Sequence, residues 1–364
     1  MAAQKNRTQR RAARARQTRA RSSGSRHGQE TPWQRRARRR RWIVFGAIGV
    51  LVLAVVGGVA AIVATSGNGN KAPGQPYTVL EAHTLLHLPA ASAVAEGGGA
   101  GYVTDDTRDV VEKFDPTDGK VEATTKLSGR PVAMVLVGSD LWVSNAVSNT
   151  VAEVAAASLT IVRTVPVPQG PTGLGVLGSD VWVSSVVSKS VTPIDTTTGV
   201  AGNPIPVLAG AVRVAGGFGA LWVTGTTDYL TRVVPSSSGG ASAESAIKVG
   251  QGPIGVTTGA GKVWVANAQS ATVDAVDPIT LTLETLESVG RDPVSLAVAA
   301  ERVWAGFGTT QSVRYVVETP QSELLDIGVT PRSLIGVGSG VWVAGSNPGE
   351  VVDVTAPHAP PVTH

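Results

Sequence analysis

A tryptophan or tyrosine returns along this chain at Tyr102, Trp142, Trp182, Trp222, Trp264, Trp304 and Trp342, with gaps of 40, 40, 40, 42, 40 and 38 residues. Each stands in one local frame, seen as Gly-Ser-Asp-Leu-Trp-Val-Ser-Asn over 138–145 and as Val-Trp-Val-Ala-Asn over 263–267. A period near forty residues with strand-like content is the signature of radial β-repeats. Seven copies make a ring that leaves no long open sheet edge. The length of 364 residues would alone allow about two or three domains, but the repeat predicts one closed body.

Within each repeat the same four parts recur. In the second, Pro131 opens a strand through Val137, Gly138-Ser139-Asp140 turns the chain, and Leu141–Asn145 returns. Third and fourth strands are predicted over Thr150–Val154 and Ile161–Val165, the last stopped by Pro166. Apolar residues alternate with small or polar ones, which is the period of a strand. Asp115-Pro116-Thr117-Asp118-Gly119 and Asp195-Thr196-Thr197-Thr198-Gly199 carry the residues that tight turns need. Pro131, Pro171, Pro253, Pro293 and Pro331 each precede their tryptophan by eleven residues, where a strand's first position tolerates a missing donor.

On these residues the chain resembles the YVTN repeat family of seven-bladed propellers, with NHL-repeat and streptogramin-lyase-type propellers as close relatives. The matching features are the Pro-opened strand, the frame at 138–145, Ser148-Asn149-Thr150-Val151 and Val191–Asp195, and the resemblance spans about 84–356. It implies an all-β, seven-bladed propeller, here expected over 77–356. The WD40 signature is absent, since Val or Ala follows each repeat aromatic. After Trp342 only one further strand, Glu350–Thr355, remains. Residues 84–88, which belong to no complete repeat, are therefore expected to close blade 7 as its outer strand.

The formal net charge of +4 hides two opposed parts. Residues 1–41 hold fifteen Lys or Arg and one acid, and the remainder holds sixteen bases and twenty-six acids. A mildly acidic repeat region argues against a nucleic-acid-binding face, and no specific nucleic acid is expected. Residues 42–65 form an uncharged apolar run of 24. As a helix it spans about 36 Å, enough for a hydrocarbon core of about 30 Å. Arg35, Arg36 and Arg38 to Arg41 precede it, and only Lys71 closely follows. The positive-inside rule then predicts a single transmembrane helix with a cytoplasmic N-terminus and extracytoplasmic repeats. A cleaved signal peptide is the rival, but 41 residues before the run and 24 within it exceed that pattern.

The basic segment 1–41 is expected to be disordered, resting on anionic lipid, with nucleic acid or a cytoplasmic protein as the other readings. Residues 66–76 read as a flexible tether and 357–364 as a Pro-rich tail. The absence of cysteine excludes disulfides and thiolate metal sites.

Catalytic signatures are few. The five histidines, His27, His83, His87, His358 and His364, avoid the repeats of blades 1–6. The resemblance to streptogramin lyases would imply histidine and glutamate acting with magnesium inside the ring, and those histidines have no counterpart. Asp105, Asp106 and Asp109 form a small acidic cluster interrupted by Thr107 and Arg108, without EF-type spacing. No cofactor or metal is expected.

One position stands apart. Nine residues before each repeat aromatic lie Ala93, Ala133, Gly173, Arg213, Gly255, Ser295 and Ser333. A buried unpaired guanidinium is costly, so Arg213 should reach the channel or pair with a carboxylate in its blade. The loops entering the first strands offer Arg130, Gln169, Gln251, Arg291, Asp292 and Arg332 as one rim, while Asn145 and Asn267 end second strands. Such loops are where propellers recognise ligands. The expected role is a tethered binding scaffold for an envelope protein, peptide or glycan, with a propeller enzyme or a transmembrane sensor as alternatives.

Overall fold

The computed structural model describes residues 80–207, 210–235, 241–286, 289–316 and 324–355. The segments expected to be tail, membrane helix and tether lie outside them. Among the described residues every regular element is a strand, and no helix is long and apolar enough to cross a membrane. The strands form seven four-stranded antiparallel sheets. Six run in sequence order, from Ala91–Gly97 through Val121–Lys126 in blade 1 to Pro293–Ala299 through Leu325–Asp326 in blade 6. Each first strand packs against the first strand of the next blade, and blade 7 packs back on blade 1, so the first strands surround a central axis.

The seventh sheet joins the two ends of the propeller. Thr330–Val337, Gly340–Ser346 and Glu350–Thr355 are its inner strands, and Glu81–His87 pairs antiparallel with Glu350–Thr355 as the outer one. Leu86 faces inward there, in a cluster with Trp342, Val351, Val94 and Phe114. The Phe114 and Trp342 rings lie 5.9 Å apart, so blade 7 is bound to blade 1 through side chains as well as through the chain that runs on from its closing strand.

The repeat aromatics are wedges. Tyr102 packs on Met134, Leu141 and Val143 of blade 2, and Trp142 on Leu174, Val181 and Val183 of blade 3. Trp304 meets Val341 and Val343 of blade 7. All seven are buried, each filling the gap between its own sheet and the next. The axis needs the opposite property. A Cβ on Gly216 would come within 1.9 Å of the Val176 carbonyl oxygen, so only glycine lets the first strands of blades 3 and 4 approach this closely. The first hairpin turn of blade 2 places Gly138 at φ 60°, the conformation that a tight turn there requires.

Strand direction defines two faces. First strands run from an upper face, which carries the loops between blades and the turns between second and third strands, to a lower face of hairpin turns. The closing strand enters at Glu81, paired with Thr355, beside the turn that joins Val337 to Gly340. The described propeller therefore begins and ends on its lower face.

If closure sustains the whole ring, a propeller starting at residue 90 melts as one unit at lower temperature than one starting at residue 76. Leu86→Ala should cost about 2–5 kcal/mol of global stability. Equal urea midpoints for the pair of truncations would refute this.

Candidate functional site: a cationic channel mouth

In blade 2, Trp142 pairs with Val135 and Ser144 with Ala133, but Asn145 pairs with Pro131 rather than one residue further on. Val132 is therefore an extra residue, a β-bulge at the upper end of the first strand. The same irregularity recurs in blades 1, 3, 5, 6 and 7, with Ser92, Thr172, Ile254, Val294 and Arg332 as the extra residues. Blade 4 lacks it, and its first strand begins at Arg213, opposite Thr224.

Bulges redirect side chains, and here the polar ones point to the next blade. Ser92 Oγ donates to the Pro131 carbonyl at 2.8 Å, and Thr172 Oγ1 to that of Val212 at 2.9 Å. Arg332 makes the same step from blade 7 to blade 1, where its Nη2 donates to Asp106 Oδ2 at 2.9 Å. Asp106 also lies 3.9 Å from Nε of Arg130, which comes from the loop entering blade 2. One carboxylate thus serves two guanidinium groups, on blades 7 and 2.

Arg213 opens the first strand of blade 4. Its Nη1 donates to the Thr172 carbonyl at 2.7 Å and, more weakly, to that of Val212 at 3.4 Å. No ion pair joins it to a described carboxylate. The residue is half-buried. Burial holds its pKa below the usual arginine value, and the positive charge of Arg332 across the ring adds to that depression. Of the two readings open from the sequence, pairing with a carboxylate of blade 4 is not among the described contacts, which are both to backbone carbonyls.

The acidic cluster of blade 1 is a structural brace. The Asp105 side chain is fully buried, and its Oδ1 accepts from the Thr107 and Arg108 backbone N–H groups at 2.9 Å each. Its Oδ2 pairs with Arg108 Nε at 2.8 Å, and Arg108 Nη1 reaches Glu112 at 2.9 Å. Burial pushes the Asp105 carboxyl upward, but the Arg108 and Thr107 hydrogen bonds outweigh it and hold the group below the usual carboxylate range. Asp109 Oδ1 accepts from the Arg130 N–H at 2.6 Å, which fixes the loop carrying that arginine. Among the described residues, no three His, Cys, Asp or Glu side chains are grouped to hold a metal.

The remaining rim candidates divide. Gln169, Gln251 and Arg291 are exposed on the upper face. Asp292 is half-buried, its Oδ2 accepting from Thr309 at 3.1 Å. Asn145 and Asn267 are fully buried instead, directing Nδ2 toward Thr150 and Thr272 of the third strands, so neither reaches the rim. The period-two pattern alone cannot tell a rim asparagine from one turned under the adjacent turn. Val147 and Val187, at equivalent upper-face turns of blades 2 and 3, are 69% and 59% exposed. Sequence reasoning missed them, although both stand five residues after their tryptophan, in a turn where valine has no core to enter.

No protein-family profile and no curated protein sequence matches the chain. Solved structures do. An inactive histidine-to-alanine variant of virginiamycin B lyase from Staphylococcus aureus, with quinupristin, aligns at TM-score 0.65 and 14% identity, over 76% of this chain and 99% of that one. Kuenenia stuttgartiensis hydrazine synthase aligns at 0.64 and 14%, over 74% and 96%. The RRP9 WD40 repeats align at 0.63 and 11%, over 75% and 96%. The shared fold is the seven-bladed β-propeller. At such identities these likenesses extend to fold alone.

Asp105→Asn should destabilise the propeller by about 1–3 kcal/mol near neutral pH, because it weakens a buried charge-assisted network. A depressed carboxyl contributes stability above its unfolded pKa of about 3.9 and loses it as pH falls through the lower folded value. The gap between wild type and variant should hold steady above about pH 5 and shrink below about pH 4. Urea midpoints across pH test this, and a gap constant down to pH 2 would contradict it.

Proposed function

We propose that this chain is a membrane-tethered, extracytoplasmic propeller of the YVTN type that recognises an envelope protein, peptide or glycan without catalysing a reaction. The observation that carries the reading is that the described propeller begins and ends on one face, residues 81 and 355 both lying on the lower face, opposite the loops that offer the rim residues. The apolar run at 42–65 and the arginines before it support the anchor and its direction.

The upper face has the chemistry of a recognition surface. Arg130, Arg291, Gln169 and Gln251 offer exposed donors, and Val147 and Val187 supply apolar contact. Arginine and apolar side chains grouped this way suit a protein or peptide partner. The basic residues 1–41 would rest on the inner leaflet.

A propeller enzyme is the second reading, and the fold shared with virginiamycin B lyase recommends it. It is the weaker of the two. His83 and His87, the two described histidines, lie on the outermost strand of blade 7, away from the axis. His87 Nδ1 there meets Glu350 at 3.0 Å, an exposed edge contact.

A photo-crosslinking amino acid at Val147 or Val187 should capture a specific envelope partner in intact cells. The same probe at Val200 or Ile279, exposed near lower-face turns, should not. Capture from the lower positions alone would overturn the orientation, and capture from none would favour the enzymatic reading.

A further inference from the structure

Five residues after its aromatic, each blade turns on the upper face. That position holds Thr107, Thr227, Gln269, Thr309 and Asn347 in blades 1, 4, 5, 6 and 7, all polar residues suited to a wet turn. Blades 2 and 3 place Val147 and Val187 there instead, 69% and 59% exposed. The two departures are neighbours in the ring. Each turns apolar surface to water at a site where the repeat otherwise avoids it.

Hydrogen bonds hold the two valines in one continuous surface. The Ala146 N–H donates to the Arg130 carbonyl at 2.9 Å, and a Cβ on Gly129 would lie 3.5 Å from Val147 Cβ. The entry loop of blade 2 therefore lies against its own turn. At the other end of that turn, the Asn149 carbonyl accepts from the Val167 N–H at 3.0 Å, and its Oδ1 accepts from the Gly170 N–H at 2.9 Å. The Gly170 carbonyl accepts from the Val186 N–H at 2.9 Å, and a Cβ on Gly170 would come within 2.7 Å of Val187 Cγ2. The Ser188 N–H donates to the Gln169 carbonyl at 3.1 Å. One row thus runs from Arg130 through Val147, Asn149, Gln169 and Val187 to Lys189.

The charge along this row runs against that of the chain around it. Beyond residue 41 there are twenty-six acids and sixteen bases, yet segments 127–131, 145–150, 166–171 and 185–190 hold no Asp or Glu. Their two charged residues, Arg130 and Lys189, are both exposed and stand at the ends of the row. Asp106 of blade 1 lies 3.9 Å from Arg130 Nε but also pairs with Arg332, and Lys189 has no described ion pair. We propose that the row docks an extended polypeptide segment of a partner protein, its apolar side chains on Val147 and Val187 and its carboxylates on Arg130 and Lys189. The inference rests on the recognition reading above and names the partner's chemistry. A neutral glycan would complement neither the valines nor the cations.

A random peptide library displayed on phage, selected against the full-length chain in detergent, tests this, with fluorescence anisotropy of the enriched peptides as the affinity measurement. Enriched peptides should carry Asp or Glu on both sides of apolar residues. Val147→Thr combined with Val187→Thr restores the residue that blades 1, 4 and 6 use, so the variant keeps the fold. It should weaken these peptides about 10-fold, the loss expected when two valine contacts are removed. Lys189→Glu should also weaken them and flatten their dependence on salt. Val200→Thr, near the lower face, should change nothing. Enrichment of basic or uncharged peptides, no enrichment at all, or equal affinity for wild type and the double-threonine variant overturns the inference. If a crosslinker at Val147 still captures an envelope partner while acidic peptides fail, the inferred partner chemistry alone falls. Loss of both capture and peptide binding removes the recognition reading with it.

Discussion

A sheet edge presents unpaired N–H and C=O groups, and a ring of sheets is stable only if its last edge is also covered. In this chain a strand from one end of the propeller, Glu81–His87, covers the outer edge left by the other end, Glu350–Thr355. The consequences reach inward. Once blade 7 is complete, Trp342 lies against Phe114 and Val94, and blade 1 has a neighbour on both sides. Every other interface can then repeat one device, an aromatic from one sheet pressed on the apolar second strand of the next. The stability of each wedge depends on the ring being closed, because an open ring would expose two wedge faces to water.

The same seam shapes the candidate site. Asp106 belongs to blade 1, and its partners come from blades 7 and 2, so one ion-pair group spans the seam where the circle closes. Buried Asp105 and its Arg108–Glu112 brace hold this turn rigid directly beside Asp106. Rigidity matters because a cation aimed at a ligand gains affinity only when its position is fixed before binding.

Much of the architecture was legible because it rests on local, repeated chemistry. The aromatics recur in every blade, the first-strand prolines in five of them, and Asp-led outer turns in blades 1, 3 and 5. What could not be read depends on register. The bulges arise because Pro131 and its equivalents pair one residue short of the regular ladder, and no residue type announces that slip. Arg332 reads as an ordinary loop arginine until the bulge places it beside Asp106. Asn145 and Asn267 look like rim polar groups, yet they turn beneath the adjacent turns to meet third-strand threonines. Arg213 was visible as an exception to a pattern of tiny residues, but its choice of the Thr172 carbonyl over a carboxylate is a property of the folded channel.

A repeat fold makes departures from symmetry informative. Where seven equivalent positions pack equally well with alanine, glycine or serine, a guanidinium in one of them adds a desolvation cost to the structure. That cost persists in the folded chain, since burial and Arg332 both work against the charge at Arg213. Two backbone carbonyls reduce it without removing it, because each offers a dipole where the group requires a counter-charge. The missing bulge in blade 4 and the charged bulge in blade 7 are separate departures from the repeat, and each places an arginine at the upper end of a first strand.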